Sequence, residues 1–199
     1  MPKDASPSPA KKEVEIKLRL GSSAEGRRLL RKAGFRVEKR RVLERNVLFD
    51  TPGKALRQRG LVLRLRISGA HSLVTFKGPA ERGKHKIRQE IEFELERGGG
   101  PRLVQVLEAL GYRPAFRYEK YRTEYVLPTG SGLAASAVAH SGIAMLDETP
   151  VGVFLELEGP PRWIDRTARL LGFHEADYIT ASYAELHRSA GGGSRDMLF

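Results

Sequence analysis

Strict alternation of ionised and apolar residues recurs along this chain, and few folds can bury one face of such strands while also housing the other. Residues 13–20 set the pattern: as a β-strand they put Glu13, Glu15, Lys17 and Arg19 on one face, and Val14, Ile16, Leu18 and Leu20 on the other. Taken alone, such a segment is a half-buried edge strand with a solvated face. It is not alone. Residues 61–67 set Arg64 and Arg66 against four large aliphatics, and residues 73–77 bring Lys77 to one face before a Gly78-Pro79 turn. In residues 88–95, Arg88, Glu90, Glu92 and Glu94 share a face opposite Gln89, Ile91, Phe93 and Leu95. Residues 118–125 gather Lys120, Arg122 and Glu124, and a hairpin over 143–158 carries Asp147 on its first arm and Glu156 and Glu158 on its second.

Helical signals separate these strands. Ser22 with Glu25 is a capping-box start for a helix over 23–33 that stops at Gly34; Pro101 opens another that ends at Gly111. A third follows Pro161 and runs to Gly172, and Ser182 caps a short one over 183–188. Each of the three longer helices closes with glycine followed by an aromatic residue, Phe35, Tyr112 or Phe173, a recurring helix stop. Residues 35–50 read as a long strand or a hairpin, residues 128–141 as a Gly/Ala/Ser-rich loop, residues 1–12 as a disordered basic tail and residues 189–199 as a flexible one.

A sheet with one wet face would present scattered Thr, Ser, Lys and Glu there, whereas these polar faces are almost wholly ionised. Their opposite faces are large and apolar, and the amphipathic helices need an apolar partner. The economical solution is an α+β fold in which the strands close into a barrel, charged inside and apolar outside, with the helices packed on the exterior. So much enclosed charge is costly unless water, metal and an anionic ligand fill the tunnel. Carboxylates offer hard oxygen ligands for Mg²⁺ or Mn²⁺, and Lys and Arg offer charge-assisted bonds to phosphate oxygens. The net charge of +11 agrees with an anionic partner. The chain has no cysteine, which removes thiolate chemistry and fits a cytoplasmic location, and no run approaches a membrane span. Residues 78–84 have P-loop spacing, but His85 stands where the metal-binding Ser or Thr belongs and a strand follows, so that reading fails. The basic cluster from Lys84 to Arg88 reads as a solvated loop, as a contact for nucleic acid or as a cover for the tunnel mouth, and Glu90, Glu92 and Glu94 as counter-charges for interior arginines.

With Glu13-x-Glu15-x-Lys17, Arg64-x-Arg66, Lys77, Lys120-x-Arg122, Asp147 and Glu156-x-Glu158 in that order, the sequence resembles the CYTH family of triphosphate tunnel metalloenzymes over about residues 13–188. The run from Gly111 to Phe116, followed by residues 119–122, looks most like the class IV adenylate cyclase branch, as does Lys77-Gly78-Pro79. Leu48 stands where thiamine triphosphatases commonly show tyrosine. The resemblance implies an eight-stranded antiparallel tunnel. It implies that Glu13, Glu15, Asp147, Glu156 and Glu158 hold Mg²⁺ or Mn²⁺, and that Lys17, Arg64, Arg66, Lys77, Lys120 and Arg122 orient the triphosphate. The implied reaction is conversion of ATP to cyclic AMP and pyrophosphate, or hydrolysis of tripolyphosphate or thiamine triphosphate by the same tunnel. The expected partner is ATP or another triphosphate; nucleic acid and membranes are not expected, and homodimerisation stays open.

Overall fold

The computed structural model describes residues 11–128, 142–193 and 195–199; most of the expected basic tail and residues 129–141 of the expected loop lie outside the described residues. Strands β1 (Lys11–Leu20), β2 (Arg36–Asp50), β3 (Val62–Ser68), β4 (His71–Lys77), β5 (Lys86–Leu95), β6 (Arg113–Val126), β7 (Ile143–Thr149) and β8 (Gly152–Glu158) form one closed antiparallel barrel. Its circular order is β1-β5-β4-β3-β2-β6-β7-β8. Residues 35–50 therefore make one long strand, kinked by register shifts against β6, and not a hairpin. The first strand starts at Lys11: Lys11 and Lys12, expected within the tail, pair with Glu90 and Gln89.

Closure sends each alternating face to its own environment. The outward residues Ile16, Leu18, Leu20, Leu155, Leu157, Leu146 and Ala144 are buried beneath helices α1 (Ser23–Lys32) and α4 (Pro161–Leu170). Gly26 lets α1 come close: a Cβ there would stand 2.6 Å from the Leu146 side chain and 2.8 Å from that of Leu20. A second cluster, Phe49, Leu65, Val74 and Leu107, packs α3 (Gly99–Ala109) on the other side of the barrel; α2 (Ala55–Gln58) is a single turn after β2. The glycine-aromatic helix stops are Schellman closures. The amides of Phe35, Tyr112 and Phe173 donate to the carbonyls of Leu30, Leu107 and Ala168, each at 2.9 Å.

The expected flexible C-terminal tail is instead anchored at its end. β7 meets β6 only over residues 121–125, leaving the preceding edge of β6 without a strand partner from β7. Met197 fills part of it as a parallel bridge to Tyr118: its amide donates to the Arg117 carbonyl and its carbonyl accepts from the Glu119 amide, both at 2.9 Å. The Asp196 carboxylate takes the Arg117 amide at 2.7 Å, and the Met197 side chain is 1 % exposed. Under it lie Tyr118, Phe154 and Tyr183, the last being the first residue of α5 (Tyr183–His187). Among the described residues, no helix is long and apolar enough to cross a membrane.

Candidate functional site

The barrel encloses a cavity of about 650 Å³. It receives Glu13, Glu15 and Lys17 from β1, Arg64 and Arg66 from β3, Lys77 from β4, Lys120 and Arg122 from β6, and Glu156 and Glu158 from β8. These are all the expected site residues except Asp147. Strand register explains the convergence: Glu15 stands opposite Glu158, Lys17 opposite Glu156, Arg122 opposite Asp147 and Arg64 opposite Thr75. β5 adds Lys86, Arg88, Glu90 and Glu92 to the lining. Lys86 and Arg88 therefore belong to the interior and not to a solvated loop, and their alternation with Glu90 and Glu92 was the sequence signal for it.

Each cation is held by a specific acid. Lys77 Nζ bonds both oxygens of Glu13 at 2.6 and 2.7 Å and lies 3.0 Å from Glu90. Arg64 donates from Nη2 to Thr75 Oγ1 at 2.9 Å and Glu92 at 3.1 Å, so its guanidinium is aimed before any ligand arrives. Lys17 Nζ bridges Glu15 at 3.1 Å and Glu156 at 3.3 Å, while Lys86 reaches Glu15 at 3.0 Å. Burial alone would raise the Glu15 carboxyl; attraction to Lys17 and Lys86 outweighs burial and repulsion by Glu156, and holds it far below the usual carboxylate range. Glu90 is the opposite case: desolvation, with Glu13 and Glu92 adding repulsion against the pull of Lys77, pushes it up to about 7.

Glu15 and Glu156 thus form a carboxylate pair that repel one another and are bridged by one cation. A divalent ion could make the same bridge with more charge, and the donors are hard oxygens of the kind Mg²⁺ and Mn²⁺ prefer. Among the described residues, no three His, Cys, Asp or Glu side chains already converge as a metal cage, because the acids are turned toward lysines and arginines. Asp147, expected as a metal ligand, does not line the cavity. It is fully buried, Oδ1 accepts from Arg122 Nε at 2.7 Å, and Oδ2 accepts from Arg122 Nη2 at 2.7 Å, Lys120 at 2.9 Å and the Tyr183 hydroxyl at 2.6 Å. Asp147 is thus the counter-ion of Arg122 and Lys120 in this structure.

Glu44, on β2, has no counterpart in the sequence-based reading. It is buried beside Arg66 at 3.4 Å and Lys120 at 3.6 Å, and its Oε2 has no hydrogen-bond partner. The alternation Glu44, Asn46, Leu48 could have flagged it, but the expected hairpin left faces unassigned. Burial would raise its pKa; Lys120, Arg122 and Arg66 lower it to about 2. A depressed folded-state pKa contributes stability that is complete above the unfolded value near 4.5 and is lost as pH falls toward 2. The shift corresponds to on the order of 3 kcal/mol. Glu44→Gln should therefore cost about that much at pH 7 and nearly nothing at pH 2. Denaturant unfolding at several pH values checks this, and an equal loss at both ends would show that charge is not the cause.

The sequence matches the CYTH domain over residues 11–183. The chain belongs to the CYTH family. As a CYTH protein it is a triphosphate enzyme of that type, and the family implies a divalent metal. A Methanocaldococcus jannaschii protein provisionally named an adenylate cyclase is 29% identical over 146 residues, 73% of this chain and 75% of its own length. Among solved structures, a Vibrio parahaemolyticus protein, also provisionally named an adenylate cyclase, superposes with a TM-score of 0.72 at 21% identity, covering 90% of this chain and 99% of that one. A Hippeastrum protein, provisionally named an adenylyl cyclase and described as having a dominant triphosphatase activity, gives 0.64 at 19% identity, covering 89% and 96%. At these identities the structural likeness shows the CYTH fold. The CYTH match stops at Tyr183, so the rest of α5 and the anchored segment around Met197 lie beyond it.

Proposed function

We propose that this CYTH protein is a divalent-metal-dependent enzyme acting on the triphosphate of ATP or a related organic triphosphate, and that it converts ATP to cyclic AMP and pyrophosphate in the manner of class IV adenylate cyclases. The observation that carries this reading is that Lys and Arg from five strands surround the same cavity as the Glu15–Glu156 pair. A chain of phosphates carries several negative charges in a row, and cations aimed from all sides match such a chain better than a single phosphate. Arg64 and Arg122 are locked by Glu92 and Asp147, so they would bind phosphate oxygens without first losing rotamer freedom. Glu13, Glu15, Glu156 and Glu158 are the residues that would hold Mg²⁺ or Mn²⁺. When bound, the metal would supply positive charge that offsets charge developing on the phosphates. The residues then leave the outcome to whichever nucleophile lies in line: the ribose 3′-hydroxyl at the α-phosphorus, with pyrophosphate leaving, or water at the terminal phosphorus.

Hydrolysis of tripolyphosphate or thiamine triphosphate by the same tunnel is the second reading. It is favoured by the Hippeastrum neighbour, which is described as having a dominant triphosphatase activity. A cytoplasmic location completes the proposal. The test is ³¹P NMR of the purified protein with ATP, thiamine triphosphate and tripolyphosphate, each with Mg²⁺, with Mn²⁺ and with chelator. Pyrophosphate and cyclic AMP from ATP would support the cyclase, orthophosphate from any of the three the hydrolase, and no turnover would refute both.

Arg64→Ala should weaken tripolyphosphate binding by about 10- to 100-fold, the loss expected for a charge-assisted contact, and leave Mn²⁺ affinity unchanged. Titration calorimetry with each ligand separates the two effects. Equal tripolyphosphate affinity in variant and wild type would remove Arg64 from the cradle.

A further inference from the structure

We infer that Arg88 is a phosphate-binding residue, its guanidinium donating directly to an oxygen of the triphosphate. The inference rests on the triphosphate reading above and gives a role to a cation which that reading leaves without one. Arg88 lines the cavity from β5 and is 8% exposed. Strand alternation puts it on the same face as Lys86, Glu90 and Glu92, which also line the cavity.

Arg88 differs from its neighbours in how loosely it is held. Every other Lys or Arg lining the cavity has a carboxylate oxygen close by, at distances from 2.6 Å for Lys77 to 3.4 Å for Arg66. Arg88 Nε lies 3.8 Å from Glu13 Oε2, too far for a hydrogen bond, and this buried nitrogen has no hydrogen-bond partner among the described residues. Glu13, for its part, does not depend on Arg88 as a counter-ion, because Lys77 Nζ already bonds both of its oxygens at 2.6 and 2.7 Å.

A guanidinium taken out of water with a donor unmet costs folding free energy, and an anion that accepts from it offsets that cost. Arg64 shares the condition: its Nε is also buried without a partner, and it lines the same cavity. Two unmet guanidinium donors around one cavity suit a ligand with many acceptor oxygens, and a phosphate chain is such a ligand. Because Arg88 stands opposite Glu13 in the β1–β5 register, the phosphate it binds is one held on the Glu13 side of the cradle.

Titration calorimetry with tripolyphosphate, with Mg²⁺ and with chelator, tests this. Arg88→Met keeps most of the side-chain volume and removes both charge and donors; it should weaken binding by about 10- to 100-fold. Arg88→Lys keeps the charge but loses the planar fork of donors, so it should restore part of the affinity and stay about three- to tenfold weaker than wild type. Arg88→Met should melt close to wild type, because Lys77 still neutralises Glu13. Binding by Arg88→Met within about twofold of wild type would overturn the contact. So would full wild-type affinity in Arg88→Lys, since a positive charge without the fork would then suffice. Where the methionine variant does not fold, as judged by far-UV circular dichroism, the lysine variant decides by that second criterion. Failure of wild type to bind tripolyphosphate in either condition would overturn the triphosphate reading itself.

Discussion

Asp147→Asn should lower the melting temperature by roughly 10 °C, although it exchanges one oxygen for one amide group. The wild-type carboxylate neutralises Lys120 and Arg122 inside the barrel and accepts four side-chain hydrogen bonds there. Removing one member of a buried ion pair costs about 3–5 kcal/mol, because the partner charges stay behind in a medium that solvates them poorly. For a chain of this size each kcal/mol moves the melting point by roughly 2–4 °C. Glu156, 2.9 Å from Arg122, and Glu44, 3.6 Å from Lys120, provide partial compensation, which places the expected loss toward the lower part of that range. The amide nitrogen would also face donors where the carboxylate oxygen faced them. Thermal unfolding followed by circular dichroism measures the loss. Saturating tripolyphosphate should return part of it, because a bound anion supplies the missing charge and stabilises only the folded state. A melting point within a degree or two of wild type would show that Asp147 is not the counter-ion these distances imply.

Glu15→Gln should reduce metal-dependent turnover by on the order of 10³-fold, about 4 kcal/mol in the barrier, while the barrel stays folded. The amide has nearly the shape of the carboxylate, and its oxygen can still accept from Lys17 and Lys86, which hold Glu15 at 3.1 and 3.0 Å. The missing negative charge is what a divalent ion would need. Turnover against Mg²⁺ concentration, with Mn²⁺ binding followed by electron paramagnetic resonance, reads catalysis and metal affinity separately. Full activity with unchanged Mn²⁺ binding would exclude Glu15 as a ligand. Loss of activity with unchanged Mn²⁺ binding would assign it to substrate positioning.

Much of this architecture was legible in the sequence because side-chain direction in a strand repeats every two residues, a purely local property. Glu13, Glu15 and Lys17 must share a face wherever β1 goes, and a chain with several such faces has few ways to enclose them. The closed barrel, the outer helices and the convergence of the expected cations follow from that. The same logic was available for Lys86, Arg88 and Glu90, but their neighbours Gly83 and Lys84 made the segment resemble an exposed turn. On β2 the pattern was weaker still, since the interior face mixes the polar Glu44 and Asn46 with the apolar Leu48.

What the sequence by itself determined is which residues point inward and what chemistry they bring. The tertiary structure decided which of them touch. Asp147 is the counter-ion of Arg122 because the two lie across from each other on β7 and β6, and Tyr183 reaches it from α5, 36 residues along the chain. Met197 is buried because the β7–β8 hairpin is too short to cover the edge of β6. Both outcomes depend on strand offset and strand length around a closed ring, quantities set by all eight strands together and by no local pattern.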